Sequence, residues 1–208
     1  DPVRNEENPV LMENGGLLFI RSTYKELPVF VHRTKEGDKA IRQRDRSLDN
    51  YFSYSNGKII YAAYRPDIRW GWQDYGELQL LDIETGQHKS ITRGSKYFMP
   101  SLSVRGDSIA ALHLGADGEH AIHLLDLKGA ILKEINSPPG ILLAFPQFYN
   151  GKILAVAKKT NGDMALVFMM QSGEMESLTN WTNTIIAYPR LKGDTILFST
   201  SGKERDEL

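Results

Sequence analysis

The 208-residue chain contains no cysteine. That absence excludes a disulfide framework, a thiolate nucleophile and thiolate-ligated zinc or iron–sulfur centres. Long apolar runs are missing too, and none approaches the roughly 18 residues that a membrane-spanning helix needs. Neither sign of charge dominates, with 25 Lys and Arg against 26 Asp and Glu and a formal net charge of -1. Such a balance gives no electrostatic case for nucleic acid or for an anionic membrane. The basic run around Arg42, Arg44 and Arg46 is interrupted by Asp45 and closes on Asp49, which reads as a solvated loop. No segment keeps a 3.6-residue apolar period for three turns, so helices are not expected. The first residues hold no charged-then-apolar leader, and a signal peptide is expected to lie outside them. The ending Arg205-Asp206-Glu207-Leu208 looks like an endoplasmic-reticulum retention tail, a reading set aside because the chain is expected to stop inside a repeat.

What the sequence does hold is ordinary globular composition, 41% hydrophobic and 25% charged, arranged with a period. A proline or aromatic residue, an apolar residue, a turn glycine and an apolar strand recur in that order. The copies are Pro9-Val10-Leu11 with Gly15, Phe52-Ser53-Tyr54 with Gly57, Pro100-Ser101-Leu102 with Gly106, Pro146-Gln147-Phe148 with Gly151, and Pro189-Arg190-Leu191 with Gly193. Their starts are 43, 48, 46 and 43 residues apart. A second landmark, a strand running into Gly37, Gly86, Gly129 or Gly173, keeps the same order. A third follows at Ile41-Arg42, Ile91-Thr92, Ile135-Asn136 and Leu178-Thr179.

Pairs such as Asn56-Gly57 and Asn150-Gly151 put glycine where a tight hairpin needs positive φ. Runs such as Ile59-Ile60-Tyr61-Ala62-Ala63 are apolar on both faces and ask to be covered on both sides. Four short strands per roughly 45 residues is the density of a propeller blade, so the chain is all-β, a propeller of four-stranded antiparallel blades. Four complete blades are expected at about 9–50, 51–98, 99–144 and 145–187, with two strands of a fifth at 188–200. Residues 1–8 read as a linker and 201–208 as a tail.

These units resemble the TolB-like (WD40-like) propeller repeat. The resemblance rests on Pro100-Ser101-Leu102-Ser103 leading to Gly106, Asp107 and Ile109-Ala110, on Leu80 to Gly86 followed by Ile91-Thr92, and on Leu178-Thr179. It runs from about Pro9 to Thr200, and departs from the family in a degraded S-P-D-G turn, here Ser55-Asn56-Gly57 or Val104-Arg105-Gly106. It implies a partial propeller from a periplasmic or secreted protein, used as a binding platform for protein, peptide or glycan. Related propellers sit beside peptidase domains, so a substrate-gating role in a larger peptidase or carbohydrate-active enzyme is the alternative. An open propeller also leaves sheet edges free for self-association.

Chemistry-bearing motifs are sparse. There is no G-x-S-x-G elbow, no H-E-x-x-H and no glycine-rich phosphate loop, so no catalytic residue, cofactor or metal is expected. Some TolB-like lyases hold a metal through propeller histidines. Here His120 and His123, three apart on one strand, point to opposite faces and do not share an ion. His32 and His88 read as surface residues and Asp82 and Asp126 as caps of the turns after them, while Trp181, in a connection between blades, either packs in the core, the favoured reading, or faces a central channel.

The clearest departure from the repeat is an insertion. Gly57 and Gly86 are 29 residues apart, against 22 or 23 in the other blades. The extra residues fall between Tyr64 and Tyr75 and bring together Tyr64, Arg65, Asp67, Arg69, Trp70, Trp72, Asp74 and Tyr75. Trp, Tyr and Arg carry interface energy, and loops are where propellers place function, which makes these eight the candidate binding residues. The aromatics could equally fold back on a neighbouring blade, and the arginines and aspartates pair with each other.

Overall fold

The computed structural model describes residues 4–201 and 206–207, all strand and turn, in five antiparallel sheets whose strands follow chain order. Blade 1 holds β1 (Asn5–Leu11), β2 (Leu17–Ser22), β3 (Val29–Thr34) and β4 (Gly37–Gln43). Blade 2 holds β5 (Phe52–Ser55), β6 (Lys58–Pro66), β7 (Asp74–Asp82) and β8 (His88–Ser90). Blade 3 is β9 (Tyr97–Leu102), β10 (Ser108–Leu114), β11 (His120–Asp126) and β12 (Ile131–Asn136). Blade 4 is β13 (Ile141–Tyr149), β14 (Lys152–Lys159), β15 (Met164–Met169) and β16 (Met175–Ser177). Blade 5 has β17 (Ile186–Lys192), β18 (Thr195–Ser201) and the short β19 (Asp206–Glu207).

Several expected boundaries move. Residues 5–8, read as linker, belong to β1, and Ser201 and 206–207, read as tail, belong to β18 and β19. The fifth blade therefore has three strands rather than two. Residues 1–3, 202–205 and 208, with Arg205 and Leu208 of the retention-like ending, lie outside the described residues. The first strands of blades 3, 4 and 5 begin at 97, 141 and 186, earlier than their proline landmarks. The reason is a bulge that recurs in the first strand. Asn8-Pro9, Met99-Pro100, Phe145-Pro146 and Tyr188-Pro189 each place two residues against one on the partner strand. The first residue of each pair is left-handed, at φ 53°, 49°, 52° and 50°. Proline fits the second place because the ladder is interrupted there and its missing N–H costs nothing. In blade 2 the left-handed residue is Asn50, at φ 48°, so Tyr51, not Phe52, stands where the others have proline.

Period-two alternation sends successive strand residues to opposite neighbours. From β6, Ile59, Tyr61 and Ala63 pack on Leu18, Ile20 and Phe30 of blade 1. The intervening Ile60 and Ala62 pack on Tyr97, Ile109 and Ala111 of blade 3. Two further clusters join blade 3 to blade 4 and blade 4 to blade 5. Each large apolar side chain so buried is worth about 1.5–3 kcal/mol, which explains why the double-sided apolar runs were legible as stacked sheets. None of these four clusters joins blade 5 to blade 1. The free face of blade 1 is sealed instead by ions: Arg21 and Arg33 lie over the Phe19 ring and pair with Glu6 and Asp38. Phe19 is only 1% exposed as a result.

The meander fixes two ends. At one lie the turns between first and second and between third and fourth strands, with Asp82 accepting from Thr85 N and Asp126 from Lys128 N and Ala130 N as the caps expected there. At the other end lie the second-to-third hairpins and the connectors between blades. Backbone bonds tie them together: Arg44 N to Pro28 O, Tyr64 N to Arg46 O, Gly76 N to Ser95 O and Leu114 N to Lys96 O.

Near the axis, Arg190 Nη1 donates to the Tyr51 hydroxyl at 3.1 Å, with its guanidinium 4.9 Å over the same ring. Gln147 reaches that hydroxyl too, and Phe145 packs edge-on against Tyr51.

Candidate functional site

The insertion is a lengthened hairpin. Tyr64, Arg65 and Pro66 extend β6, Asp74 and Tyr75 open β7, and only residues 67–73 form the loop. The twelve-residue loop expected from the spacing is thus shorter, because its ends add rungs to the ladder. Asp67 shapes the tip: its Oδ1 accepts from Arg69 N at 2.7 Å and Trp70 N at 2.9 Å, and its Oδ2 from the Tyr75 hydroxyl at 3.2 Å. These bonds hold the Asp67 carboxyl below its ordinary pKa.

The polar candidates are mostly spent inside the fold. Arg65 pairs with Asp45 at 2.8 Å, and Asp45 also accepts from the Tyr61 hydroxyl at 2.7 Å. His88 Nε2 lies 3.0 Å from that hydroxyl, so His88 is a half-buried member of this network and not the surface residue expected. Tyr64 lies under the Arg46 guanidinium, 4.9 Å away, with Asp74 raising its hydroxyl pKa through a hydrogen bond. The basic run is correspondingly not a free loop. Arg46 stacks, Asp45 bonds, and Arg44 is 7% exposed, its pKa lowered by that burial. Asp45 is the member of this network that sequence spacing missed, since its partners lie 16 and 20 positions away. Asp45→Ala is expected to cost about 2 kcal/mol, because Arg65 loses its ion pair and the Tyr61 hydroxyl its acceptor; a urea titration reads this as a lower midpoint at unchanged slope.

The apolar candidates do the opposite. Trp72 is 101% exposed, Trp70 66% and their loop neighbour Ile68 102%, so the tryptophans do not fold back on a blade. Arg69, just before Trp70, is exposed too. Tyr24, Leu27 and Leu48 are exposed on the adjoining hairpin and connector of the same end. Lys25, Arg46, Arg69, Arg93 and Lys96 lie on hairpins and connectors of the same end, and among the described residues none of the five is in a salt bridge. Two exposed tryptophans thus stand on a braced stem, with cations outside any salt bridge on the connectors of the same end.

Of the histidines, His123 and His113 share the face of blade 3 turned to blade 2, their rings stacked with centroids 4.4 Å apart. His120 faces the cleft toward blade 4, beside Ser137 and Ile141, so His120 and His123 are separated as their spacing required. Among the described residues no three His, Asp or Glu side chains are arranged to hold a metal ion. Trp181 packs against the blade 3–blade 4 core under Lys159, the packing role expected of it.

No protein-family model matches the chain, and no curated protein sequence does. Solved structures do. A putative TolB from Agrobacterium tumefaciens superposes with a TM-score of 0.65 at 16% identity, over 84% of this chain and 65% of that one. The tricorn protease gives 0.71 at 11% identity, over 97% of this chain and 24% of the other. A chain of the nidogen/laminin complex gives 0.61 at 10% identity, over 89% and 68%. The chain thus spans under two thirds of the TolB structure and about a quarter of the tricorn protease. At such identities the likeness is one of fold, and the fold is that of a TolB-like β-propeller.

Proposed function

We propose that this chain, a β-propeller of TolB-like fold, is a non-catalytic binding and scaffolding propeller of a bacterial envelope or secreted protein. Its ligand is a protein, peptide or glycan, met at the connector end of blades 1 and 2. One observation carries this reading: the hairpin uses its polar residues to brace itself and turns Ile68, Trp70 and Trp72 to solvent. Desolvating these side chains would hold a partner, and the cations of the same end favour one with carboxylates beside an apolar recess. TolB and nidogen as structural neighbours support a binding role, and TolB supports the envelope location. Self-association through free sheet faces belongs to the same reading, with blade 5 the favourable side because Leu197 is half exposed there.

The test is capture from an envelope extract of the source cells on the immobilised chain. Raising salt from 50 to 500 mM is expected to weaken retention of the partner about tenfold, as screened surface charges do, and Arg69→Glu to mimic that loss at low salt. Retention indifferent to both would remove the cations from the contact.

The second reading is a substrate-gating propeller of a larger peptidase or carbohydrate-active enzyme, which the tricorn likeness supports. Near the axis Tyr51, Gln147 and Arg190 are bonded to one another rather than left free for a substrate, which favours the first reading. A peptidase or lyase domain elsewhere in the full reading frame would favour the second.

A further inference from the structure

The histidine pair sits directly behind the tryptophan hairpin. Tyr97 opens β9, and its carbonyl abuts Gly76 at the base of β7, while the residues just before it hold β7 and β10 through Ser95 and Lys96. The Tyr97 hydroxyl lies 2.8 Å from His123 Nδ1. His123 Nε2 faces the Glu134 carboxylate at 3.5 Å, and His113 stacks on the other side. Blade 2 closes the cluster with Gly76, Ala62 and Leu78, and Tyr64, opposite Gly76, is already engaged with Asp74 and Arg46. Glu134 is thus the charged group that faces the pair, beside the phenol of Tyr97 and the backbone of Lys96.

We propose that the Tyr97–His123–His113 stack is a proton-operated latch that holds the base of the tryptophan hairpin at neutral pH and loosens it in mild acid. Glu134 can only accept, so Nε2 of His123 carries the ring proton and Nδ1 takes the phenol's. When His123 gains a proton, Nδ1 becomes a donor to the Tyr97 oxygen, and the phenol's own proton loses its acceptor. That hydroxyl is buried, has no second acceptor among the described residues, and cannot ionise in compensation because burial pushes its pKa up to about 12. A second proton on His113 would set two cations face to face. Burial lowers the pKa of both rings below the ordinary 6.5. With folded values depressed, the contact's stability is complete above pH 6.5 and drains away as pH falls below it. The latch's functional weight rests on the hairpin being the contact element, but its test needs no partner.

The test is amide hydrogen exchange of the chain alone at pH 7.5 and 5.5, corrected for the intrinsic pH dependence. Protection of the Gly76 and Leu114 amides is expected to fall about tenfold in acid, while β14 keeps its protection. His123→Gln should make the two pH values agree, and Tyr97→Phe, a smaller change, should shrink the fall severalfold. His88→Asn, which touches the other network, should leave it intact. Unchanged protection in the wild type, or a fall that survives His123→Gln, overturns the latch. Neither result bears on whether the hairpin binds a partner.

Discussion

Gly76→Ala is expected to cost about 3 kcal/mol and to lower the melting temperature by roughly 6–12 °C, the scale for overpacking in a chain of this length. Gly76 does not occupy the left-handed region, so its glycine answers to space and not to conformation. A Cβ there would run into the Tyr97 carbonyl oxygen, a backbone atom that no rotamer change can move. The close approach also carries the Gly76 N to Ser95 O bond of 2.9 Å and the parallel bridge to Lys96, which together fasten blade 2 to the connector before blade 3. Gly71, in the same hairpin, is the internal control: nothing lies within 4 Å of its added Cβ, and Gly71→Ala should shift stability by no more than about 0.5 kcal/mol. Thermal melts of the two variants decide the matter. A Gly76→Ala protein that melts with the wild type would mean that the blades are not clamped at this point.

The blade tandem was legible because its signals are local. Glycines at hairpin turns and apolar runs flanking them need only a few neighbouring residues, and Ile59 to Ala63 announces cover on both faces by composition alone. What escaped was set by residues far apart in sequence. The left-handed residue is one case: in blade 2 it is Asn50, followed by Tyr51 and not by proline, so the proline pattern slipped by one residue there. Gly76 carried a readable signal, since an isolated glycine inside an apolar strand marks close approach of another backbone, though not which one. The histidine pair was half legible, because closing a hairpin from Leu114 to His120 puts His113 and His123 on one face. Tyr97 and Glu134, on the two flanking strands, could come only from the assembled sheet. The eight candidate residues divide along the same line. Tyr64, Arg65, Asp67, Asp74 and Tyr75 found partners that spacing did not reveal, and Arg69, Trp70 and Trp72 were left to solvent.

That division makes the tryptophan pair the sharpest functional test. Trp70→Ala with Trp72→Ala is expected to weaken the captured partner about a hundredfold, on the order of 3 kcal/mol, the scale of two aromatic anchors that do not add fully. The melting temperature should stay within about 1 °C of the wild type, because side chains 66% and 101% exposed bury little to lose. Asp67→Ala separates anchor from scaffold. It removes the acceptor of the Arg69 and Trp70 amides, so both tryptophans remain but the tip loses its fixed shape. Ordering the tip would then have to happen on binding, and affinity should fall about tenfold by a faster dissociation rate. Surface plasmon resonance on the purified partner distinguishes these outcomes. A large stability loss in the double variant with unaltered binding would make the tryptophans structural. Full affinity in all three variants would move the contact away from blade 2 altogether.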